Sequence, residues 1–368
     1  MQIDRLSLRG FRNYEDAQAQ FVPGVNLLVG GNANGKTNLL EAVSYLSTGR
    51  SFRTRREAEL IRFGADFAEL RAQVQSQERT RELRAVLFSG RRPRQLWLAG
   101  VRQRSRAALS GVLTSVLFCP EDLMILKKGA AGRRRLMDGV ICQLRPNYEA
   151  ALAEYGRLLD QKSALLRERY DNPSLLQVLP EYDLRMAQTG ALVISYRARY
   201  VKALAQEAAR YHREFSGDSE TLELTYRTVS TVEDPFTERK TIFEQILEHQ
   251  ERHYRAELDS GQCLTGPHKD DFDALLDGIA VKAFGSQGQT RTAAISLKLS
   301  ERELLRRDTG EEPVLLLDDV LSELDATRQD FVLNQITSGQ VLITCCEPGR
   351  VTKIGKTIEI RAGGLVCT

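Results

Sequence analysis

The chain has 368 residues, of which 42% are apolar and 27% charged. This composition is typical of a globular protein of about two to three domains, and no apolar run is long enough to span a bilayer, so we expect a cytoplasmic protein with no membrane partner. The formal net charge of +3 does not by itself indicate a nucleic-acid-binding protein, and the six cysteines contain no C-x-x-C pair, which favours reduced thiols.

The amino-terminal segment is predicted to be α/β structure with additional strands. Residues 3–8 alternate apolar and polar side chains as a half-buried strand does, and residues 21–29 predict a second strand. Further strand-like runs cover residues 68–74, 82–88 and 95–98. We therefore expect extra β-structure beside an α/β core.

A glycine-rich loop follows the second predicted strand. Residues 30–37 read Gly-Gly-Asn-Ala-Asn-Gly-Lys-Thr, which fits the phosphate-binding pattern G-x-x-x-x-G-K-[ST], and an amphipathic helix follows. Glycines allow the backbone to turn its N–H groups toward phosphate, the lysine reaches the β- and γ-phosphates, and the threonine hydroxyl is a ligand for Mg²⁺. A chance match is expected in about one chain in a hundred of this length. We predict an ATP and Mg²⁺ site formed by Gly30, Gly31, Asn32, Ala33, Asn34, Gly35, Lys36, Thr37 and Asn38.

The middle of the chain, residues 120–255, has the spacing of helices and predicts an inserted, mainly helical lobe. Pro173 and Pro180 divide it, residues 221–229 predict a strand, and a helix is expected to start at residues 234–235. His249 and His253 stand four residues apart on that helix, but H-E-x-x-H is not met. A metal site there is an alternative at about one in twenty, because polar helix faces commonly carry such pairs without ligands.

Arginines are clustered along the chain. Each cluster alone is more commonly a solvated face than a binding site, but together they allow a basic surface, and residues 133–135 are a candidate for contact with DNA or a partner. The clusters are Arg50, Arg53, Arg55 and Arg56; Arg91, Arg92 and Arg94; Arg102, Arg104 and Arg106; and Arg133, Arg134 and Arg135.

A near-continuous apolar strand, residues 314–319, ends in two carboxylates. Such a strand delivers an acid to its carboxyl end, where Asp318 is expected to hold Mg²⁺, directly or through water, opposite Thr37. Asp319 is then the candidate that orients or deprotonates the attacking water. Acidic strand ends are common, so this interpretation of Asp318 and Asp319 depends on the presence of the Lys36 loop in the same chain.

Ser286, Gln287, Gly288 and Gln289 precede a helix predicted over residues 290–307. A serine and a glycine at a helix start offer a hydroxyl, N–H groups and a helix dipole, which together suit an anion. The alternative is a serine N-cap without a ligand. A second anion site predicts a two-fold dimer in which each Ser286 contacts the γ-phosphate bound by the partner's copy of the loop.

These segments together give the chain a specific resemblance. It resembles the ABC-type P-loop ATPase heads of the SMC and Rad50 group, and most closely the RecF family of bacterial recombination mediators. The segments that carry the resemblance are residues 8–14, 30–51, 120–123, 265–271, 284–289 and 317–325. The resemblance implies an ATPase domain over residues 1–119 and 256–368 with residues 120–255 inserted, a signature motif at residues 286–289, and a D-loop over residues 322–325 in which Asp325 lies near the dimer interface.

The resemblance also implies a function. It predicts a protein of DNA repair, replication and recombination that binds ATP and forms an ATP-dependent homodimer. The dimer is expected to hold single-stranded, gapped or junction DNA independently of sequence and to help load recombinase with RecO and RecR. Two departures from the wider pattern, Asp319 at the catalytic glutamate position and Cys345 at the switch histidine position, predict slow ATP hydrolysis that acts as a timer. The alternatives are an ABC transporter ATPase subunit and a passive DNA-binding protein with a vestigial nucleotide site.

Overall fold

A computed structural model describes residues 1–54, 56–77, 79–169, 172–228, 231–346, 355–361 and 364–367. The chain forms two compact units, Met1–Met124 with Arg291–Thr368, and Ile125–Thr290. The first unit is therefore assembled from two separate stretches of the sequence, and the second is inserted between them. In the part of the chain that the structure describes, no helix is both long enough and apolar enough to cross a membrane.

The amino-terminal stretch of the first unit is mainly strands. In chain order it contains β1 (Gln2–Phe11), β2 (Tyr14–Gln20), β3 (Val25–Val29), α1 (Lys36–Thr48), β4 (Phe67–Ser76), β5 (Arg79–Phe88), β6 (Gln95–Leu98), β7 (Val101–Gln103) and β8 (Ser115–Phe118). Six of these strands form an antiparallel sheet in the order β2-β1-β4-β5-β6-β7. Strand β4 buries every second residue over most of its length, as expected when one face of a sheet covers a core.

The predicted strand over residues 21–29 is too long at its amino-terminal end. β3 begins only at Val25, because the Asn26 side chain closes a turn on Val22. Its amide nitrogen donates to the Val22 carbonyl at 2.8 Å, and its amide oxygen accepts from the Val22 N–H at 2.9 Å. Those Val22 groups therefore do not take part in a sheet ladder.

The second unit is mainly helical. In chain order it contains α2 (Ala130–Leu144), α3 (Pro146–Glu168), α4 (Leu179–Ser216), β9 (Leu222–Arg227), α5 (Arg239–Ser260), β10 (Asp271–Leu276), β11 (Ile279–Ala280) and α6 (Val281–Phe284). The strands form a sheet in the order β11-β10-β9. Helix α5 starts later than predicted because Asp234 accepts a hydrogen bond from the Phe236 N–H at 2.9 Å and closes a turn instead. The last residue of the strand predicted over 221–229 is outside the described residues.

The carboxyl-terminal stretch completes a parallel sheet. It contains α7 (Gln287–Thr309), which crosses the boundary between the units, and then β12 (Val314–Leu317), α8 (Ala326–Asn334), β13 (Val341–Cys345), β14 (Lys356–Arg361) and β15 (Gly364–Cys367). The sheet order is β15-β14-β3-β13-β12-β8, in which only the β14–β15 pair is antiparallel. The carboxyl ends of β3 and β12 therefore lie at the same edge of the sheet, separated by β13.

One apolar core holds the first unit together. It includes buried side chains from the antiparallel sheet, from α1 and from the parallel sheet, among them Leu6, Leu70, Leu39, Leu316 and Leu342. Burying a leucine side chain contributes about 1.5–3 kcal/mol. This shared core fixes α1, and hence the loop that precedes it, against both sheets.

The compact units differ from the domain boundaries predicted at residues 119/120 and 255/256. The structure separates the units at residues 124/125 and 290/291. The second difference arises because β10 pairs with β9, with Asp271 opposite Arg227, so residues 271–280 belong to the same sheet as β9. Whether residues 256–290 function with the ATPase domain stays a prediction.

Candidate nucleotide-binding site

The glycine-rich loop lies between the carboxyl end of β3 and the first turn of α1. A Cβ atom at Gly30 would lie 2.3 Å from the Ile360 carbonyl oxygen of β14. Gly35 has φ +116°, and a Cβ there would lie 2.7 Å from Asn13 Nδ2 and 2.9 Å from the Tyr14 hydroxyl. Both glycines are therefore required by backbone conformation or by close approach of neighbouring atoms.

Lys36 is only 5% exposed. Its ammonium donates to the Gly30 carbonyl at 2.7 Å and the Gly31 carbonyl at 3.2 Å, and it lies 3.5 Å from Cys346 Sγ. Within the described ranges, no carboxylate forms an ion pair with this lysine. A buried ammonium that has only neutral acceptors is suited to an anionic ligand, since buried charges are ordinarily paired.

Thr37 and Asp318 meet at the sheet edge, although 281 positions separate them. The Thr37 hydroxyl donates to Asp318 Oδ1 at 2.9 Å, and Asp318 is 6% exposed. Two cis oxygen ligands of an octahedral Mg²⁺ lie about 2.9 Å apart when each metal–oxygen bond is about 2.0–2.1 Å. This pair therefore fits a magnesium ion without any change in its spacing.

Strand β13 supplies a third side chain, which the sequence analysis missed. Thr344 Oγ1 lies 3.1 Å from Asp318 Oδ1 and 3.1 Å from Asp319 Oδ1, and it accepts the Asp319 N–H at 2.7 Å. Asp319 has φ +50°, in the left-handed region that few residues other than glycine adopt. Strand β12 ends at Leu317, not at 319 as predicted, and the conformation of Asp319 is held by a hydroxyl from the neighbouring strand.

Burial raises the pKa of Asp318, and the nearby Asp319 carboxylate raises it further, whereas the hydrogen bonds from Thr37 and Thr344 lower it. The net shift is upward. The ionised carboxylate is thus disfavoured by its surroundings until a cation offsets the charge. A carboxylate in these surroundings is suited to a bound cation.

The turn between β1 and β2 holds the glycine-rich loop. Asn13 Nδ2 donates to the Asn34 carbonyl at 3.0 Å, and the Tyr14 hydroxyl donates to the Gly35 carbonyl at 3.0 Å. Asn38 Nδ2 in turn donates to Asn13 Oδ1 at 2.7 Å. In the sequence this segment contributes only to the family resemblance, and no local pattern shows its role.

The exposed tip of the loop is formed by Gly31, Asn32 and Ala33, and Ala33 has φ +64°. Asn34 Nδ2 donates to the Ile360 carbonyl at 3.1 Å, which attaches the loop to β14. The Cys346 thiol donates to Asn32 Oδ1 at 2.9 Å and carries no disulfide. The tip therefore faces solvent while its base is held from both sides.

The predicted signature segment forms the amino-terminal cap of α7, within the second unit. The Ser286 N–H donates to Gln289 Oε1 at 2.9 Å, and the Gln289 N–H donates to Ser286 Oγ at 3.2 Å. This reciprocal arrangement is a capping box. Ser286 and Gln287 are exposed, and Gly288 and Gln289 are partly exposed. The N-cap weighed as the alternative is therefore present, and it leaves the Ser286 hydroxyl hydrogen free to be donated outward.

The segment predicted as a D-loop follows β12. Asp325 caps α8 by accepting the Arg328 N–H at 3.0 Å, and this bond is the main cause that lowers the pKa of Asp325. The Ser322 hydroxyl donates to the Asp319 carbonyl at 2.7 Å. The segment is thus tied directly to the residue that follows the magnesium candidate.

One arginine of the candidate segment at residues 133–135 has a structural role. Arg133 is 3% exposed, makes two 2.7 Å bonds to Asp271 and donates to the carbonyls of Ile125 and Lys128. The suggestion that Arg133 contacts DNA is wrong, because its guanidinium is fully engaged inside the second unit. Arg55, from another cluster, is outside the described residues.

The histidine pair of α5 is stacked, with ring centroids 3.9 Å apart. His249 Nδ1 lies 2.7 Å from Thr265 Oγ1, and His253 Nδ1 lies 2.9 Å from the His249 carbonyl. Burial is the first cause that lowers the pKa of His249. Across the described residues, no group of three or more His, Cys, Asp and Glu side chains is arranged to hold a metal ion.

The fold and the site together define a P-loop ATPase head of the ABC type, in which strands β3 and β12 of one parallel sheet present the loop lysine and the acidic strand end. The family model described as the RecF/RecN/SMC N terminal domain matches residues 2–364. The chain belongs to the RecF family. Its function is accordingly that of a DNA replication and repair protein.

Relatives cover nearly the whole chain. The DNA replication and repair protein RecF of Symbiobacterium thermophilum is 39% identical, covering 94% of this chain and 92% of the relative. RecF of Lactobacillus johnsonii is 37% identical, covering 99% and 98%. The structure of the recombination mediator protein RecF-ATP in the RecFOR pathway is 32% identical with a TM-score of 0.90, covering 100% and 97%. An SMC head bound to the C-winged helix domain of ScpA, 16% identical with a TM-score of 0.56 and covering 100% and 97%, shares the fold.

Proposed function

We propose that this protein binds ATP with Mg²⁺ and uses it to form a homodimer that holds DNA. The observation that carries the proposal is the buried Lys36 ammonium, whose hydrogen-bond acceptors among the described residues are all neutral and which lies next in the chain to the Thr37–Asp318 pair. In this role Lys36 binds the β- and γ-phosphates, and Thr37 and Asp318 hold the magnesium ion. Support also comes from the relative that was solved as RecF-ATP.

Asp319 is the proposed acceptor that orients the attacking water. A bound magnesium ion would neutralise charge on the phosphates. The shorter side chain of aspartate, in place of the glutamate of the wider ABC pattern, supports slow hydrolysis, which suits ATP as a timer. Asp319 is held in a left-handed conformation by Thr344 on β13. Small movements of β13 would therefore change the direction in which the Asp319 carboxylate points.

Dimerisation is proposed to place the Ser286–Gln289 cap of one subunit against the γ-phosphate bound by the other. The exposed hydroxyl and the start of α7 suit an anion. Asp325 is expected to lie near the same interface. Each nucleotide would then be shared by two chains, so that ATP binding and association become one event.

The DNA surface is proposed to be basic and independent of sequence. The structure describes eight arginines that are exposed and belong to the clusters noted above, namely Arg50, Arg53, Arg56, Arg91, Arg92, Arg102, Arg104 and Arg135. Joining two such surfaces would raise affinity for the phosphate backbone without any contact to bases. RecO and RecR are the proposed partners, with single-strand gaps and junctions as the site of action.

Analytical ultracentrifugation with ATP, with gapped duplex DNA and with both tests this proposal. We expect the wild type to dimerise with Mg²⁺–ATP, and more strongly when DNA is present. Lys36→Met and Ser286→Arg should remain monomeric, whereas Lys240→Met, which changes an 82% exposed lysine, should behave as the wild type. A monomer at saturating ATP would refute the dimer. If DNA leaves ATP-dependent dimerisation unchanged, the result would favour a transporter-type ATPase. If DNA binding does not depend on ATP, it would favour a passive DNA-binding protein.

A salt titration tests how DNA is bound. If phosphate contacts dominate, the logarithm of the association constant should fall linearly with the logarithm of salt concentration, with a slope of about −0.7 per contact for single strands. The matched comparison is the same gapped DNA with two unrelated sequences. A slope near zero, or a strong preference for one sequence, would contradict recognition of the backbone.

A further inference from the structure

A chain of hydrogen bonds inside the second unit ends at the Ser286–Gln289 cap. It begins at His212 on α4, passes through Glu220 in the segment before β9, and reaches Gln289 on α7. Gln289 then bonds Ser286. The two inner residues lie 74 and 66 positions from Ser286, and nothing in the local sequence around the serine indicates them.

His212 has a defined tautomer. It is 0% exposed, and its Nε2 lies 3.0 Å from Glu220 Oε2. Because an ionised carboxylate only accepts, Nε2 must carry the hydrogen. Its Nδ1 is buried without a hydrogen-bond partner among the described residues. A hydrogen on Nδ1 would be a buried donor with no acceptor, so the tautomer with its hydrogen on Nε2 is favoured over the one with its hydrogen on Nδ1.

Glu220 decides which way the Gln289 amide points. Gln289 Nε2 donates to Glu220 Oε1 at 2.8 Å, so the amide oxygen is left to accept the Ser286 N–H at 2.9 Å. The reverse orientation would place the amide oxygen against a carboxylate and the NH₂ group against the Ser286 N–H. Two acceptors would then face each other at Glu220 and two donors at Ser286. The carboxylate therefore selects the amide orientation that closes the capping box.

We propose that Glu220, held by His212, is a positioning residue for the Ser286 hydroxyl. The capping box directs the Gln289 N–H to Ser286 Oγ at 3.2 Å, which occupies an acceptor site of that oxygen and leaves its hydrogen to be donated to a phosphate. The inference rests on the proposed function, in which Ser286 contacts the nucleotide of the partner subunit. It adds a residue outside the signature segment on which association depends.

The test compares nucleotide affinity with association. For Glu220→Ala we expect unchanged affinity of the isolated subunit for a fluorescent ATP analogue, measured at protein concentrations too low for dimers. The ATP-driven association constant should fall about tenfold per cap, and about 100-fold overall, because a two-fold dimer contains two caps and the loss of one charged hydrogen bond is worth about that factor. The matched control is Glu223→Ala, which removes an exposed glutamate of β9 and changes the charge by the same amount.

Glu220→Gln separates positioning from folding. The glutamine has both an oxygen and an NH₂ group, so it satisfies either Gln289 or His212 in the native arrangement but not both, and we expect an intermediate loss of association. Association equal to that of the wild type in either variant would overturn the proposal. So would a parallel fall in nucleotide affinity, which would indicate an effect on the fold. If the wild type itself does not associate with ATP, the proposed function fails, and this inference fails with it.

Discussion

The buried carboxylate of Glu41 provides a quantitative test of how the glycine-rich loop is supported. Glu41 lies on α1 and is 0% exposed. Arg12 bonds it with two nitrogens at 2.7 and 2.8 Å, Ser51 Oγ lies 2.5 Å away, and Arg53 lies at 3.5 Å with its own side chain 44% exposed. Arg12 immediately precedes Asn13, which bonds the loop. The ion pair therefore stabilises both the core and the turn that holds the loop.

Removal of one partner should cost far more than removal of both. Arg12→Met leaves the buried carboxylate with Ser51 and the half-exposed Arg53 at 3.5 Å. An unpaired buried charge costs about 3–5 kcal/mol. Because Arg53 offsets part of this, we expect a loss of about 3 kcal/mol in the free energy of unfolding. The double variant Arg12→Met/Glu41→Met should lose about 1 kcal/mol or less, since an apolar pair of similar size often replaces a buried ion pair without loss.

Urea unfolding followed by tryptophan fluorescence measures this effect in the relevant unit. The chain has one tryptophan, Trp97, which lies on β6 in the first unit. Arg71→Met is the control, because that arginine is 45% exposed and pairs with two carboxylates that are 18% and 35% exposed, and it should change stability by less than about 1 kcal/mol. A double variant that loses as much stability as Arg12→Met alone would refute the reasoning.

Three further predictions concern charge and backbone. Asp318→Asn should raise the melting temperature of the nucleotide-free protein, because burial and Asp319 raise the pKa of Asp318 and so disfavour its ionised form. The same variant should weaken Mg²⁺-dependent ATP binding at least about tenfold. Thermal melts with and without Mg²⁺–ATP measure both effects. Burial lowers the pKa of His268 to about 4 from 6.5, so the stability that its neutral form contributes is complete above pH 6.5 and is lost as the pH falls toward 4. This loss is up to about 3 kcal/mol and should be absent in His268→Gln, as urea unfolding at pH 7, 5.5 and 4 would show. Gly35→Ala should cost about 1–3 kcal/mol and abolish ATP binding, because its Cβ would displace Asn13 and Tyr14, as equilibrium binding of the ATP analogue and urea unfolding would show.

Each of these has a contrary result. A nucleotide-free Asp318→Asn protein that melts below the wild type would mean that the ionised carboxylate is stabilising. If the wild type and His268→Gln lose the same stability between pH 7 and pH 4, His268 is not the source of that loss. For the loop, Gly24→Ala is the control, because φ there is +78° with no atom within 4 Å of the added Cβ. If both glycine variants bind ATP equally, the contact with the β1–β2 turn does not matter.

The elements that were predicted well depend on neighbours in the sequence. The residue types of the loop from Gly30 to Thr37 carry their own backbone requirements, and the run before Asp318 is apolar enough to indicate a buried strand. The β10–β11 turn has the same local basis, since Asp277 and Gly278 both adopt the positive φ that an Asp-Gly hairpin turn requires. The start of α5 was wrong because a single side chain, Asp234, closed a turn that helix signals did not anticipate.

The support of the site could not be predicted, because its partners are far apart in the chain. Thr344 reaches Asp318 and Asp319 only because β13 lies between β3 and β12. Arg133 lies in a run of arginines that is typical of an exposed surface. It is nevertheless buried, because it pairs with Asp271, which is 138 positions away in the chain. Which arginines are exposed depends on which carboxylates the fold brings to them.

The sequence by itself determined the glycine-rich loop and the acidic end of a core strand, and it left the serine cap of α7 as one of two interpretations, because each depends on the local chemistry of a few consecutive residues. Only the tertiary structure decided which side chains hold them. Asn13 and Tyr14 bond the loop, Thr344 holds the two carboxylates and Glu220 orients Gln289. The physical reason is that hydrogen bonds are short and directional, so their partners are specified by the packing of strands and helices and not by separation along the chain.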